Sequence, residues 1–286
     1  MAPSLNDYEF QFDDVGTTLN TDDMGLPFID ILSVSGLDTA PLRTSTDEHQ
    51  GMDGTYVDSP FVSARTIVLT GNLYTNPSDP DSLLDSLRAD YTKDDVRPFY
   101  FQLPNRPTRF INCQGGGFRY DIDGGRRAGL TAIQATLVAE DPYIYDAIPA
   151  SITIAVPTLS ILGMSFNVAF NLGFGGALPN FGATVTNNGN HTAYPLITIT
   201  GPVTNPVIVD SNSGTTMALN ISLAAGDILT IDTRLKSIIL NNFVSRRTSM
   251  TGRQWISVPP GVSDTISFTA DAGTGSCTVK LYNTYY

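Results

Sequence analysis

The sequence predicts a mainly β protein of two domains: a β-sandwich-like domain with one short helix, followed by a β-sandwich. Three observations predict this. Short segments rich in Val, Ile, Thr, Phe and Tyr recur along the 286 residues, divided by Gly, Asn and Pro. Such residues fit a pleated, half-buried surface. One segment alone, 81–91, spaces its apolar residues at a helical period. Finally, residues 139–145 separate an acidic half from a long uncharged run. Within them, Asp141-Pro142 stops a strand, because Pro cannot donate to a ladder and disfavours helical backbone before it. The expected division is a domain at 1–146, an uncharged apolar linker or docking segment at 147–183, and a domain at 184–286. Both domains are long enough to bury a core.

In chain order, residues 6–12 predict an opening strand with Tyr8, Phe10 and Phe12 on one face. Residues 27–36 predict a second. Residues 37–57 are polar, acidic and turn-rich, which suggests an exposed loop or hairpin arm. Residues 63–74 give the strongest strand of this half. The helix follows, with Ser78 or Asp79 as N-cap and Pro80 near its first turn. Its apolar stripe is Leu83, Leu84, Leu87 and Tyr91, so it should lie on a sheet. Strands are expected at 97–103, 109–113, 118–122 and 130–138, with Gly115-Gly-Gly117 and Gly124-Gly125 as turns. The second domain reads as strands at 184–190, 195–201, 206–209, 216–221, 227–232, 237–240, 254–258, 264–268 and 277–282. Short strands at this spacing indicate a sandwich.

Charge and composition exclude several functions. The net charge is −12, and between Asp7 and Asp58 twelve acids face Arg43 alone. That field repels phosphate backbones, so nucleic acid should slip past without being gripped. Cys113 and Cys277 fall one in each half and read as buried free thiols. The polar, acidic start carries no basic-then-apolar signal, so synthesis in the cytoplasm is expected. Residues 152–174 are uncharged and apolar but contain Pro157, Asn167 and Asn171, and their beginning alternates like a strand. They are expected to dock on protein rather than cross a membrane.

Catalytic constellations are thin. His49 and His191 lie in different halves, and no zinc, phosphate-loop or nucleophile-elbow motif is present. No cofactor, metal or enzymatic activity is expected. Asp121-Ile-Asp123-Gly124 lacks the further oxygen ligands of a calcium loop and reads as a turn. Trp255, the single tryptophan, with Arg253 beside it, is a candidate contact for carbohydrate or a partner. Arg126-Arg127 and Arg246-Arg247 are basic spots that could meet the acidic half of a neighbouring copy.

These features taken in order resemble the distal tail proteins of siphovirus-type phages. In the first half the resemblance rests on Ser33-Val-Ser-Gly-Leu37, the Gly51 to Gly54 loop, Ser63-Ala-Arg-Thr-Ile-Val-Leu-Thr-Gly71, the short helix and Glu140-Asp-Pro-Tyr-Ile-Tyr145. In the second it rests on Asn187-Asn-Gly-Asn190, Pro195-Leu-Ile-Thr-Ile-Thr-Gly-Pro202, Leu223-Ala-Ala-Gly-Asp-Ile-Leu-Thr-Ile-Asp232, and Trp255 running into Pro259-Pro-Gly261. The resemblance implies a galectin-like second sandwich and a homohexameric ring at the distal tail tip of the virion. The ring would join the tail tube protein to the tip or hub protein. It would let DNA and the tape-measure protein through, and receptor-binding proteins are further possible partners. Arg65, Tyr143, Tyr145, Phe166, Phe170 and Phe174 are the expected ring or hub interface. The competing reading is a carbohydrate-binding adhesion protein, since galectin-like sandwiches often bind glycans. The galectin His-Asn-Arg-Trp-Glu set is not reproduced, although Arg253 and Trp255 are present. A cell-wall glycoside hydrolase is a third reading.

Overall fold

A computed structural model describes residues 2–21, 25–76, 81–157 and 182–286. The chain divides into two compact units: Met1–Ile148 with Tyr285–Tyr286, and Pro149–Thr284. Among the described residues the protein is mainly β with a single α-helix, as the sequence predicts.

Among the described residues, the first unit is an antiparallel sheet. Its strands run in the order Thr18–Leu19, Phe10–Phe12, Arg97–Phe101, Arg109–Tyr120, Leu130–Ala139, Arg65–Tyr74 and Phe28–Ser35. Ile144–Asp146 pairs with the start of Arg109–Tyr120. The helix Ser82–Tyr91 buries Leu84, Leu87 and Tyr91 against Arg109–Tyr120 and Leu130–Ala139, while Leu83 is partly buried. The expected stripe is therefore the packed face. The expected N-cap, Ser78 or Asp79, lies outside the described residues.

Three expectations change here. Gly115-Gly-Gly117 is not a turn; Arg109–Tyr120 runs straight through it as one strand, with a bulge between Gly115 and Gly117. The glycine serves close approach instead. A Cβ on Gly115 would lie 2.3 Å from the Tyr91 carbonyl oxygen, and the Gly115 N–H donates to the Lys93 carbonyl. The opening strand shortens to Phe10–Phe12, because Tyr8 takes a positive φ of 65° and turns out to solvent. Both faces of that strand are covered, so Gln11 is buried with Phe10 and Phe12. In the second unit, residues 254–258 form a single bridge, Val258 to Ala193, and no strand.

The second unit is a β-sandwich. One sheet runs Ala150–Ala155, Ser276–Leu281, Leu196–Thr200, Ile228–Asp232, Ser237–Leu240, Val244–Ser245; the other runs Gly182–Thr186, Ser263–Thr269, Val207–Asp210, Thr216–Ala218. Every second residue points inward, and Ile197, Ile199, Leu229, Ile231, Ile208, Ile266, Phe268 and Val279 from both sheets form one core. Outward positions carry hydroxyls that bond across strands, as in Thr153 with Thr278 at 2.9 Å and Thr186 with Ser263 at 2.7 Å. Part of the stretch expected as linker, Ala150–Ala155, is thus a strand of this sandwich. Residues 158–181, which include Phe166, Phe170 and Phe174, lie outside the described residues. No helix among the described residues is long and apolar enough to cross a membrane.

Cys113 and Cys277 are free and buried, and burial pushes both thiols up to about 12.

Candidate interaction surfaces

The corner after Leu130–Ala139 is held from inside the first unit. Arg65 opens the strand Arg65–Tyr74 and is only 1% exposed. Its Nε donates to the Pro142 carbonyl at 3.0 Å, and its Nη1 donates to the Gly36 and Asp38 carbonyls at 3.0 and 2.7 Å. The guanidinium thus ties the corner to the root of the segment after Phe28–Ser35. Burial lowers its pKa, opposed by the nearby Asp38 charge. Tyr145 is also buried. Its hydroxyl donates to Asp141 Oδ2 at 2.6 Å, and its ring stacks on Phe110 at 5.3 Å. Arg65 and Tyr145, expected at an interface, are therefore buried residues of this unit: the Arg65 Nε and Nη1 and the Tyr145 hydroxyl bond its own backbone and carboxylates, while the buried Arg65 Nη2 finds no partner among the described residues. Tyr143 is partly exposed and meets Tyr286 edge-on at 5.9 Å. Next to it, Arg109 bonds Asp146 at 3.1 Å and lies 3.7 Å over the Tyr285 ring, while the Tyr285 hydroxyl donates to Asp146 at 3.2 Å.

From this corner a hairpin arm extends. Leu42–Arg43 pairs with Phe61–Val62 and Thr46–Glu48 with Thr55–Val57, apart from the main sheet. Every residue from 41 to 61 is exposed except the half-buried His49, whose ring meets Tyr56 at 3.8 Å. The arm presents Leu42, Met52, Tyr56, Val57 and Phe61 to solvent, Met52 at 72%. Its acids are Asp47, Glu48, Asp53 and Asp58, with Asp38 at its root, against Arg43 alone.

The second unit carries the opposite chemistry on one edge. Val244–Ser245 ends the larger sheet, next to Ser237–Leu240. No acid occurs between Asp232 and Asp264, yet this stretch holds Arg234, Lys236, Arg246, Arg247 and Arg253. The Arg246 N–H donates to the Ile238 carbonyl, which sets Arg246 beside the start of Ser237–Leu240 and so near Lys236. Phe243 is 90% exposed on the following turn, and Leu235 is exposed between Arg234 and Lys236. Trp255 is half-buried against the sandwich core, with the Arg247 guanidinium 5.8 Å over its ring. Arg253 is exposed. Trp255 thus meets a basic edge through Arg247, a member of the Arg246-Arg247 spot that the sequence singles out; Phe243, which the sequence reading did not single out, had one legible signal, the acid-free run itself. The division is general: by sequence, the first unit holds 23 acidic and 10 basic residues and the second 5 and 6.

Among the described residues no cluster of three or more His, Cys, Asp or Glu could hold a metal ion. Asp123 Oδ1 accepts the Gly125 and Arg126 N–H groups, which makes it a turn cap. In the second unit the His191 Nδ1 lies 3.0 Å from the Thr192 carbonyl oxygen.

Residues 188–285 match the family described as siphovirus-type tail component, C-terminal domain. Solved structures share the fold over nearly the whole chain. The crystal structure of SPP1 Dit (gp 19.1), described as a paradigm of the hub adsorption apparatus in phages infecting Gram-positive bacteria, aligns with a TM-score of 0.63 at 12% identity, covering 98% of this chain and 100% of that one. A chain of the phage P2 baseplate in its activated conformation with calcium aligns at 0.56 and 9% identity, covering 96% and 97%. The strontium form of that baseplate gives 0.52 at 9% identity, covering 96% and 98%. A comparison with curated proteins finds no match. By sequence in its last third and by fold along nearly its whole length, the chain resembles the distal tail (Dit) hub proteins of siphovirus-type phages.

Proposed function

We propose that this chain is a structural protein of a phage tail tip, one of six copies in a ring that joins the distal end of the tail tube to the hub. The carrying observation is the coincidence of two likenesses: a siphovirus-type tail domain in residues 188–285 and the Dit fold along 98% of the chain. A ring needs a heterologous interface whose rotation closes. The acidic first unit suits a passage for DNA and the tape-measure protein, because its charge repels phosphates without holding them. Its role is assembly, not catalysis. Tyr143 and the apolar segment with Phe166, Phe170 and Phe174 are proposed contacts within the ring or with the hub. Native mass spectrometry of the full chain tests the ring, with six copies expected. Monomers at every concentration, together with absence from the tail tip of purified particles, would sink the reading.

A further inference from the structure

We propose that the basic edge of the second unit docks on the acidic arm of another copy of this chain. The inference rests on the ring reading, since it needs copies that meet.

The arm cannot be stable by itself. A two-stranded hairpin is marginal in water, and this one leaves Leu42, Tyr56, Val57 and Phe61 exposed on short strands outside the main sheet, with only the arm's own His49 ring on Tyr56 and Arg43 over Phe61 for contact among the described rings. Something apolar must cover it in the assembled state. Charge narrows the choice, because an arm with four acids and one Arg repels any acidic surface. The complement is present on the same chain. Arg246, Arg247 and Lys236 are exposed, with Phe243 and Leu235 supplying apolar area. Both partners are also sheet margins. The arm is a pair of two-stranded sheets apart from the main sheet, and Val244–Ser245 ends the larger sheet of the sandwich. Each offers unpaired backbone groups for strand addition. A contact in which one copy gives its arm and receives on its edge is heterologous, the kind that closes into rings.

Charge reversal in the full-length protein tests this. Arg246→Glu with Arg247→Glu inverts the edge, and Asp47→Lys with Glu48→Lys inverts the arm; all four positions are exposed, so both variants should fold. Each alone is expected to weaken assembly by tenfold or more in sedimentation equilibrium, and the quadruple variant to restore it. A carboxyl-to-amine crosslinker applied to mixed light and heavy-isotope copies should join Lys236 to Asp47 or Glu48 across two chains. Wild type that assembles and ignores both reversals overturns the contact, assigns the edge to another acidic partner, and leaves the ring standing. Crosslinks confined to single chains overturn it as well. Wild type that never assembles overturns the ring reading and this contact with it.

Discussion

Asp264 shows what a single residue can reveal. It lies 1% exposed on Ser263–Thr269, and its carboxylate makes no well-formed hydrogen bond among the described residues; the nearby Asn212 amide, which eases its charge, donates to the Ser263 carbonyl at 2.7 Å. On the same inward face, Asp210 is fully buried. Its own carboxylate is occupied by the Asn212 and Ser213 N–H groups and the Ser213 hydroxyl, at 3.0, 3.5 and 2.6 Å. Burial first, then the Asp210 charge, raises the Asp264 pKa. The native state therefore holds a proton that the unfolded chain has released. The resulting penalty is absent below the unfolded pKa and is fully present above the raised native one, so the second unit loses stability as pH rises through that window. Asp264→Asn should raise stability at neutral relative to acid pH, because the amide carries no charge for burial and Asp210 to penalise. It should also flatten the dependence of the melting temperature on pH between acid and neutral. Equal melting shifts for variant and wild type across pH would refute this. Arg65 is held by three bonds to carbonyls inside the fold, although its buried Nη2 is left without a partner among the described residues. Arg65→Ala should cost the first unit about 2–4 kcal/mol by loss of charged hydrogen bonds and packing, read as a lower denaturant midpoint. The sequence shows Arg65 and Tyr145 as conspicuous side chains on strands, but not that backbone carbonyls and Asp141 would consume their polar groups. That depends on a corner folding back over 77 residues, which no local pattern encodes.

Elements were legible where one period ruled. The helix declared itself by Leu84, Leu87 and Tyr91, and these are its buried face. The sandwich strands declared themselves by alternation, and the core follows it. Misreading came where a residue type has two uses. Glycine marks turns, as at Gly125–Ala128, but it also permits close approach, as at Gly115 under the helix end. Gly115→Ala is expected to push the Tyr91 carbonyl from the strand and cost about 1–3 kcal/mol, the range for overpacking. Gly124→Ala, with nothing within 4 Å of its added Cβ and no positive φ, should be near neutral. Thermal unfolding of the two variants decides it, and equal losses would show that crowding at the helix end is not the cause. The basic edge was half legible. Arg253, Trp255 and Arg246-Arg247 stood out by type, whereas the approach of Arg247 to the Trp255 ring depends on the turn Arg247–Ser249.

At the scale of the whole molecule, charge is divided between the units: the first has more than twice as many acids as bases, while the second is nearly balanced. The exposed arm concentrates that asymmetry, and its roots show it to be dispensable for folding. The Ser63 N–H donates to the Pro41 carbonyl at 2.7 Å, so the chain has already closed before the arm begins. Replacing residues 42–62 by a two-residue Asn-Gly turn should therefore fit that closed pair. Since no residue from 42 to 62 belongs to the first unit's core, the shortened chain should melt within a few degrees of wild type. It should nonetheless lose assembly, and the salt dependence of assembly should go with it, because attraction between exposed charges fades as the Debye length falls from about 10 Å at 0.1 M to about 3 Å at 1 M salt. Sedimentation across a salt series measures both effects. A shortened chain that unfolds early would make the arm a structural element of the first unit. One that assembles as wild type, with the same salt response, would place the contacts of the ring elsewhere.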